Sequence, residues 1–330
     1  MMDRTADRYS LVADVGGTNT RVALAEGATL IERTVRRYRN RDHGSLEEVL
    51  RAYVAAEGNV DCTAASVAIA GPVKDGRGTL TNLDWRIDSE TLAAATRAET
   101  TAVLNDLEAQ GHALGHVRDE NLTRLLPGPE EEQRPGQTTR LVLGLGTGVN
   151  AAPVYDTRTG RVVSPAEMGH ISLPVTCDED AAIHAFLKAG GVHPDVEEAL
   201  SGRGVEHLHA WATGAADPKA GASSAEIVAA LSDPGSLEDA DLAVRTYARI
   251  VGTVLGDLAL TFLPFGGLFL AGGMARAFAP HLMRLGFAEA FRDKGRFTAF
   301  MDQFPVTVIE DDYAALAGSA AYLAALKDPA

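Results

Sequence analysis

The segment 11–24, LVADVGGTNTRVAL, carries residues that could hold a phosphate group. Its apolar run contains one acid, Asp14, stops at Gly16 and Gly17, and resumes with alternation, which predicts a strand, a tight turn and a returning strand. Glycine lacks a Cβ, so the N–H groups of this turn can approach an anion closely. A carboxylate in a buried strand needs a cation or hydrogen-bond donors, and a Mg²⁺ ion carrying nucleotide phosphates would meet that need. An ordinary hairpin with one isolated aspartate is the alternative interpretation.

A second candidate site is the pair Asn105 and Asp106, which follows the apolar residues 102–104 and precedes a helical pattern over 107–114. Ligands of open α/β sheets bind at the carboxyl ends of strands. A carboxylate placed there can accept the proton of a substrate hydroxyl. Asp106 could equally cap the helix that it begins, and the sequence alone does not separate the two roles.

The stretch 141–151, LVLGLGTGVNA, repeats the design of the first segment: a buried strand pattern, a Gly-Thr turn and an apolar return. Two turns of one design indicate two related halves that hold one phosphate chain from both sides. A third glycine pair, Gly272 and Gly273, follows the apolar residues 268–270 and would leave bare backbone against which an adenine could lie.

Two further segments carry candidate ligands for a neutral, polar molecule. Glu167 and His170 are three residues apart, and the proline and glycine of the segment 164–170, SPAEMGH, predict a loop rather than a helical metal pair. A solvated glutamate and a locally satisfied histidine are the alternative. Glu197 lies in 196–202, VEEALSG, which the pattern predicts to be a helix ending at Gly202, with its glutamates in solvent.

Strands that alternate with helices must position these residues, and this alternation is typical of α/β sheets with parallel members. Ser45 and Glu48 form a capping box before an amphipathic helix pattern. Short apolar runs at 64–70 and 305–309 predict buried strands, and helical patterns cover 241–262 and 312–326. The polar, proline-containing stretch 115–140 predicts a domain crossover or a surface excursion.

Composition limits the possible functions. The chain has 330 residues, 46% of them hydrophobic, and a net charge of −15, which argues against nucleic acid and against an anionic membrane surface as partners. The apolar span 251–270 is interrupted by Asp257 and Pro264, so we expect no membrane helix there. The two cysteines, Cys62 and Cys177, are too few for a disulfide framework, and a reducing cytoplasm fits them.

Taken together, these motifs resemble one family, the bacterial glucokinases of the hexokinase/actin-like ATPase superfamily, from about residue 9 to the C-terminus. The motifs occur in family order: D-V-G-G-T-N at 14–19, L-N-D at 104–106, G-L-G-T-G at 144–148, E-x-G-H at 167–170, L-S-G at 200–202 and A-G-G at 271–273. The resemblance implies an α/β, two-domain actin-like ATPase (ribonuclease H-like) fold with a central interdomain cleft. It implies a small domain of residues 1–115, joined by the C-terminal helix at about 310–330, and a large domain of 116–309.

The resemblance also assigns site residues, position by position. It implies that ATP phosphates and adenosine are bound by Ala13, Asp14, Val15, Gly16, Gly17, Thr18, Gly146, Thr147, Gly148, Gly272 and Gly273. It implies a sugar-binding set of Asn105, Asp106, Glu167, His170 and Glu197, with Asp106 as the base. We expect Asp14 to hold Mg²⁺, directly or through water. Two positions depart from the family pattern: Met168 and Asn150 stand where glycine is common.

The implied activity is ATP-dependent phosphorylation of D-glucose at O6 by a homodimer in the cytoplasm. Direct in-line transfer needs positioning, neutralised phosphate oxygens and a proton acceptor, which Asp106 would provide. One alternative is a kinase for another hexose (mannose, fructose or an N-acetylated sugar), because the bulk of Met168 could reshape the sugar pocket. Others are a non-catalytic sugar sensor and a phosphatase or ATPase of the same superfamily.

Overall fold

The computed structural model describes residues 9–80, 83–129, 139–233, 235–237 and 239–327. The chain divides into two units, each built around its own sheet. The first unit contains the described residues of Met1–Asp119, Asp156–Pro165 and Asp311–Ala330, and the second those of Glu120–Tyr155 and Ala166–Glu310.

The strands of the described residues confirm the predicted glycine hairpins. They are β1 (Ser10–Val15), β2 (Asn19–Glu26), β3 (Thr29–Leu30), β4 (Arg36–Arg39), β5 (Ala64–Ile69), β6 (Val73–Lys74), β7 (Arg77–Gly78), β8 (Ile87–Asp88), β9 (Thr100–Asn105), β10 (Leu122–Leu126), β11 (Thr139–Leu145), β12 (Val149–Thr157), β13 (Gly160–Val163), β14 (Leu268–Ala271) and β15 (Val306–Ile309). The glycine turns join β1 to β2 and β11 to β12, and both pairs are antiparallel.

The helices of the described residues are mostly short, with one long exception in the second unit. They are α1 (Leu46–Ala56), α2 (Ser89–Thr96), α3 (Asp106–Ala113), α4 (Asp178–Ala189), α5 (Glu197–Leu200), α6 (Gly202–Ala212), α7 (Ser224–Ala230), α8 (Ala240–Phe262), α9 (Gly273–Leu282), α10 (Phe287–Arg292) and α11 (Ala314–Lys327). Ser45 caps α1 as predicted, since its hydroxyl accepts the N–H of Glu48 at 3.2 Å.

The two sheets repeat one topology. In the first unit the strand order is β3-β2-β1-β5-β9, with β4 also paired to β2, and β1, β5 and β9 are parallel. In the second unit β12, β11, β14 and β15 follow one another in the same way, because β11, β14 and β15 are parallel and β12 is the antiparallel hairpin partner. A hairpin beside two parallel strands therefore occurs twice, in agreement with the internal repeat indicated by the sequence.

Alternation along β1 places its residues on two differently covered faces. Leu11, Ala13 and Val15 pack in the cluster that includes the buried side chains of α1 and α2, whereas Val12 packs against α11. The α11 face is lined by small residues, and α11 itself approaches α3 so closely that a Cβ on Gly318 would collide with the carbonyl of Ala109. Asp14 shares the α11 face, at the end of β1 where polar side chains replace the small apolar ones.

One segment is grouped differently from the predicted domain boundaries. The family resemblance implies that 116–309 form one large domain, but Asp156–Pro165 belong to the first unit. The physical reason is Arg161, whose guanidinium donates to the main-chain carbonyls of Gly111, His112 and Leu114 at the end of α3. Asp156 pairs with the same guanidinium at 2.7 Å, so the charge of Arg161 is balanced within the segment.

Candidate active site

The first glycine turn is held by one asparagine. The N–H of Gly16 donates to the carbonyl of Asn19 at 3.0 Å, which closes the turn. Asn40 donates its side-chain amide to the carbonyl of Gly16 at 2.8 Å and its main-chain N–H to the carbonyl of Thr18 at 2.9 Å. Gly17 and Thr18 are exposed at the surface of the first unit, at the turn that the sequence predicts to bind a phosphate.

Asp14 meets a cation that the protein itself provides. Arg21 lies opposite Asp14 in the hairpin register, and its guanidinium is 3.3 Å from the carboxylate. Burial raises the pKa of Asp14 above its ordinary value, while the charge and hydrogen bond of Arg21 act in the opposite direction. The requirement for a positive partner that the sequence indicates is therefore met in part by Arg21.

The helix cap next to Asp106 is Asn105. The Oδ1 atom of Asn105 accepts the N–H of Leu107 at 2.9 Å, and Glu108 accepts the N–H of Asn105 at 3.3 Å, which completes a capping box. Asn105 also donates to the carbonyl of Gly71 at 3.0 Å, a link between the ends of β5 and β9. Asp106 is the first residue of α3 rather than its cap, although its carboxylate also accepts the N–H of Leu107 at 2.9 Å.

Asp106 has an unusual proton affinity for an aspartate. Burial raises its pKa to about 7, and the nearby charge of Asp14 adds to this effect, against hydrogen bonds that favour the ionised form. The carboxylates at the ends of β1 and β9 therefore interact. A carboxyl group with a pKa near neutrality is suited to accept a proton at physiological pH.

The second glycine turn is held by Glu197. The N–H of Gly146 donates to the carbonyl of Gly148 at 3.0 Å, and Glu197 accepts the N–H of Val149 at 2.9 Å. A Cβ on Gly148 would lie only 2.8 Å from that carboxylate oxygen, so the glycine makes room for it. Arg203 lies 3.3 Å from the other oxygen of Glu197. The glutamate thus supports the turn directly, whereas the sequence indicates a solvated helix residue.

The predicted helix over 196–202 is wrong in its C-terminal half. The single-turn α5 ends at Leu200, and Gly202 begins α6 instead of ending a helix. Ser201 has extended backbone angles, and its hydroxyl accepts the N–H of Gly204 at 3.0 Å, which makes it the N-cap of α6. The N–H of Gly202 donates to the carbonyl of Gly146 at 2.8 Å, so this helix start also supports the second turn.

The loop with Glu167 and His170 is anchored by Asn150, one of the two positions that depart from the pattern given by the resemblance. Asn150 donates to Glu167 at 3.1 Å, and its Oδ1 accepts the N–H groups of Met168 at 2.9 Å and Ala151 at 2.8 Å. Residues Met168–His170 form a 3₁₀ turn, as the predicted loop allows. A Cβ on Gly169 would collide with the carbonyl of Val149, so the loop packs directly on the strand that leaves the second turn.

Met168 does not point to solvent. Its side chain is buried in the hydrophobic core of the second unit. The methionine at this position therefore adds to the packing of the core. The polar side chains of the loop are those of Glu167 and His170.

His170 has an acidic partner that sequence reasoning missed. The side chain of His170 is exposed, and its Nδ1 atom lies 3.5 Å from the carboxylate of Asp195. Asp195 is buried and also accepts the N–H of Glu198 at 3.0 Å, which fixes its orientation. The second unit thus places Glu197 at the second turn and Glu167 beside Asn150, just after that turn, while His170 lies on the loop of Glu167 and faces Asp195.

Gly272 and Gly273 join β14 to α9. Gly272 has φ +100°, and a Cβ there would collide with the carbonyl of Leu145, the last residue before the second turn. Only glycine suits this position, because both the backbone angle and the close approach exclude a side chain. A Cβ on Gly273 would meet open space. The third glycine pair therefore lies against the strand that leads into the second turn.

Within the described residues there is no group of three or more histidine, cysteine or acidic side chains placed to hold a metal ion. Mg²⁺ needs less, because it usually keeps several waters and binds one or two carboxylates. The coupled carboxylates of Asp14 and Asp106 fit that requirement. Among the same residues, no helix is both long and apolar enough to cross a membrane.

From the sugar-binding role that the resemblance implies for Glu167, we predict that Asn150→Ala raises the KM for the sugar by ~10-fold, with a smaller effect on kcat, because a hydrogen bond to a charged group is worth about 1.5–3 kcal/mol. The variant leaves Glu167 and the N–H of Met168 without their partner, so the loop is no longer held. Steady-state kinetics separate the two parameters. A variant with unchanged KM and a lowered melting temperature would show that Asn150 only stabilises the fold.

Comparisons with known proteins agree on one family. The profile of the glucokinase family matches residues 11–326. A glucokinase of Marinobacter nauticus is 32% identical over 319 residues, which is 96% of this chain and 97% of that protein. The crystal structure of a glucokinase from an Antarctic psychrotroph superposes with a TM-score of 0.82 at 31% identity and covers 96% of this chain and 98% of that one. The glucokinase of Balamuthia mandrillaris in complex with glucose shares the fold, with a TM-score of 0.76, 19% identity and coverage of 96% and 93%.

Proposed function

This chain belongs to the glucokinase family, and from that premise we propose a direct in-line phosphoryl transfer to O6 of D-glucose with Asp106 as the general base. Its activity is the ATP-dependent phosphorylation of glucose, on the two-domain actin-like ATPase fold. The observation that carries the mechanism is the state of Asp106, which stands at the end of β9 with a pKa of about 7 and leaves the capping of α3 to Asn105.

The proposed roles follow from the chemistry of the transfer. The exposed N–H groups of the two glycine turns bind phosphate oxygens, and Gly272 and Gly273 contact the adenosine. Asp106 accepts the proton of the attacking hydroxyl, a contribution of ~10²–10⁴-fold to the rate. Charge neutralisation and positioning account for the rest of the acceleration. The transfer is direct, so no residue forms a covalent phosphoenzyme.

We propose that Asp14 holds Mg²⁺, directly or through water. Two interacting carboxylates, Asp14 and Asp106, favour a divalent cation because each destabilises the charge of the other. Arg21 lies 3.3 Å from Asp14 and restrains its carboxylate. When bound, the ion would neutralise phosphate charge that develops during transfer.

We propose that five side chains bind the sugar through hydrogen bonds to its hydroxyls: Asn105, Asp106, Glu167, His170 and Glu197. A neutral ligand rich in hydroxyls suits three carboxylates, an amide and an imidazole, whereas the same carboxylates would repel the phosphates of ATP. Glu197 already accepts the N–H of Val149 and pairs with Arg203. A carboxylate has about four acceptor positions, so it can still accept a sugar hydroxyl.

The experiment that tests the proposal is a coupled ATP assay over a panel of hexoses. We expect kcat/KM for glucose to exceed that for fructose and galactose by at least ~10²-fold, because a site built on hydrogen bonds rejects analogues that leave its polar groups unpaired. Glu167→Gln should narrow this difference. EDTA should abolish turnover, and added Mg²⁺ should restore it.

Three results would contradict parts of the proposal. A preference for mannose, fructose or an N-acetylated sugar would preserve the kinase and overturn the substrate. Glucose binding in calorimetry without turnover would indicate a sensor, and full activity after EDTA treatment would overturn the role of Asp14.

A further inference from the structure

We propose that the first unit carries a second anion subsite, next to the first glycine turn, that binds a linear chain of phosphate groups. The subsite consists of Arg37, Arg39 and Arg41, and we call it the arginine subsite. The proposal rests on the proposed function in one respect: the first glycine turn must bind a phosphate group before a chain of phosphates can extend from it to the arginines.

The arginine subsite and the glycine turn line the same pocket. This open pocket of about 540 Å³ is lined by Gly17–Asn19, the three arginines, Asn40 and Leu83. Asn40 lies between Arg39 and Arg41 and fastens the turn through Gly16 and Thr18. The segment that carries the arginines, which is β4 and the short turn after it, is therefore tied to the backbone that is expected to bind phosphate.

Strand register concentrates positive charge on one face of the sheet. Arg21 lies opposite Asp14 on one side and opposite Arg37 on the other, and Arg39 lies opposite Asn19. Because alternate residues of a strand share a face, Arg37 and Arg39 lie on the same face as Asp14 and Arg21. Like charges directly opposite each other destabilise a strand pair. Asp14 pairs with Arg21, and an anion bound beside Arg37 would relieve the repulsion that remains.

The nearby carboxylates compensate for Arg21 and Arg41 but leave Arg37 and Arg39 without an acidic partner among the described residues. Asp14 pairs with Arg21, and Asp42 lies 3.6 Å from Arg41. In the part of the chain that the structure describes, no acidic side chain pairs with Arg37 or Arg39. Arg36, which points to the other face of the same strand, forms an ion pair with Glu57 at 2.7 Å. The free positive charge is thus specific to the face beside the turn, in a chain with a net charge of −15.

The spacing indicates the class of ligand. Arginine binds phosphate oxygens through a planar fork of donors, and Arg37 and Arg39 are separated by about 7 Å along the strand. Several arginines in a row beside a phosphate-binding turn suit a chain of linked phosphates better than a single one. Inorganic polyphosphate has this form and needs no site for a base. A chain whose end occupies the turn would exclude the phosphates of ATP.

The test measures inhibition of ATP-dependent glucose phosphorylation by inorganic phosphate, tripolyphosphate and long-chain polyphosphate, with calorimetry of the same compounds in the absence of ATP. We expect long-chain polyphosphate to compete with ATP and to inhibit far more strongly than inorganic phosphate. The double variant Arg37→Gln/Arg39→Gln should weaken this inhibition at least ~10-fold while the KM for ATP changes less than ~2-fold. Arg36→Gln removes one positive charge from the other face of the strand and should leave both quantities unchanged.

Each contrary result has a distinct meaning. An enzyme that phosphorylates glucose but neither binds polyphosphate nor is inhibited by it would overturn the subsite and leave the proposed function intact. An equal loss of inhibition in Arg36→Gln would show unspecific charge attraction and protection of an edge strand. A parallel rise in the KM for ATP in the double variant would place the arginines in the ATP site itself. Polyphosphate binding without any turnover of glucose and ATP would support the subsite and overturn the proposed function.

Discussion

Asp106→Asn is expected to lower kcat by ~10²–10⁴-fold while the fold and the affinity for glucose stay close to those of the unaltered enzyme. The amide has the shape of the carboxylate and can still accept the N–H of Leu107, which lies 2.9 Å from Asp106. It cannot accept the proton of the attacking hydroxyl. Steady-state kinetics with ATP and glucose, together with glucose binding by calorimetry, measure the two effects separately.

Glu108→Gln is the matched control, because it changes an acid to an amide two residues further along α3. Glu108 accepts the N–H of Asn105 at 3.3 Å, a bond that an amide oxygen can also form. We expect this variant to keep its kcat and to lose little stability. If Asp106→Asn instead unfolds, with turnover per folded molecule unchanged, Asp106 is a structural residue and the proposed base is wrong.

The parts of the site that the sequence predicts are those with local causes. A glycine turn between two apolar runs specifies a hairpin within about fifteen residues, and both hairpins occur where the pattern predicts them. Asp106 at the end of a buried strand is a local feature of the same kind. The fold follows from these features, because each hairpin continues into parallel strands joined by helices.

The parts that the sequence leaves undetermined depend on contacts between distant segments. Asn40 fastens a turn more than twenty residues before it, and Asn150 holds a loop eighteen residues after it. Asp195 reaches His170 from a different segment. None of these asparagines and acids differs in its local pattern from a solvated residue. The only signal for Asn150 is that it replaces a common glycine.

The break at Ser201 has a related explanation. Apolar spacing over 196–202 is that of a helix, and a glycine at the end of such a run typically stops it. Here Ser201 is a better cap for the following helix than a continuation of the preceding one, since its hydroxyl accepts the N–H of Gly204. The signal for a new helix is a serine followed by helix-compatible residues. In the sequence, the tendency of glycine to end a helix outweighs that signal, so the pattern predicts a helix end at Gly202.

Two aspartates of the first unit, Asp106 and Asp88, should contribute to the free energy of unfolding with opposite dependences on pH. The pKa of Asp106 is raised from 3.8 to about 7, so between these values the folded state binds a proton that the unfolded state has released. The contribution of Asp106 to the free energy of unfolding therefore falls as the pH rises from about 4 to about 7, and the full cost is present above pH 7. Asp106→Asn should remove this cost. We expect the variant to melt several degrees above the unaltered protein at pH 8, and at the same temperature near pH 4.

Asp88 gives the control with the reverse sign. Burial acts to raise its pKa, but hydrogen bonds from Thr91 and Arg86 lower it from 3.8 to about 2. Its stabilising contribution is present above about pH 4 and is lost as the pH falls toward 2, so Asp88→Asn should be destabilised at pH 8 and less so at low pH. Scanning calorimetry of both variants across this range measures the two differences. A contrary result would be that Asp106→Asn is destabilised at pH 8, as Asp88→Asn is. The folded protein would then stabilise the charge of Asp106, and the proposal that burial and Asp14 raise its pKa to about 7 would be wrong.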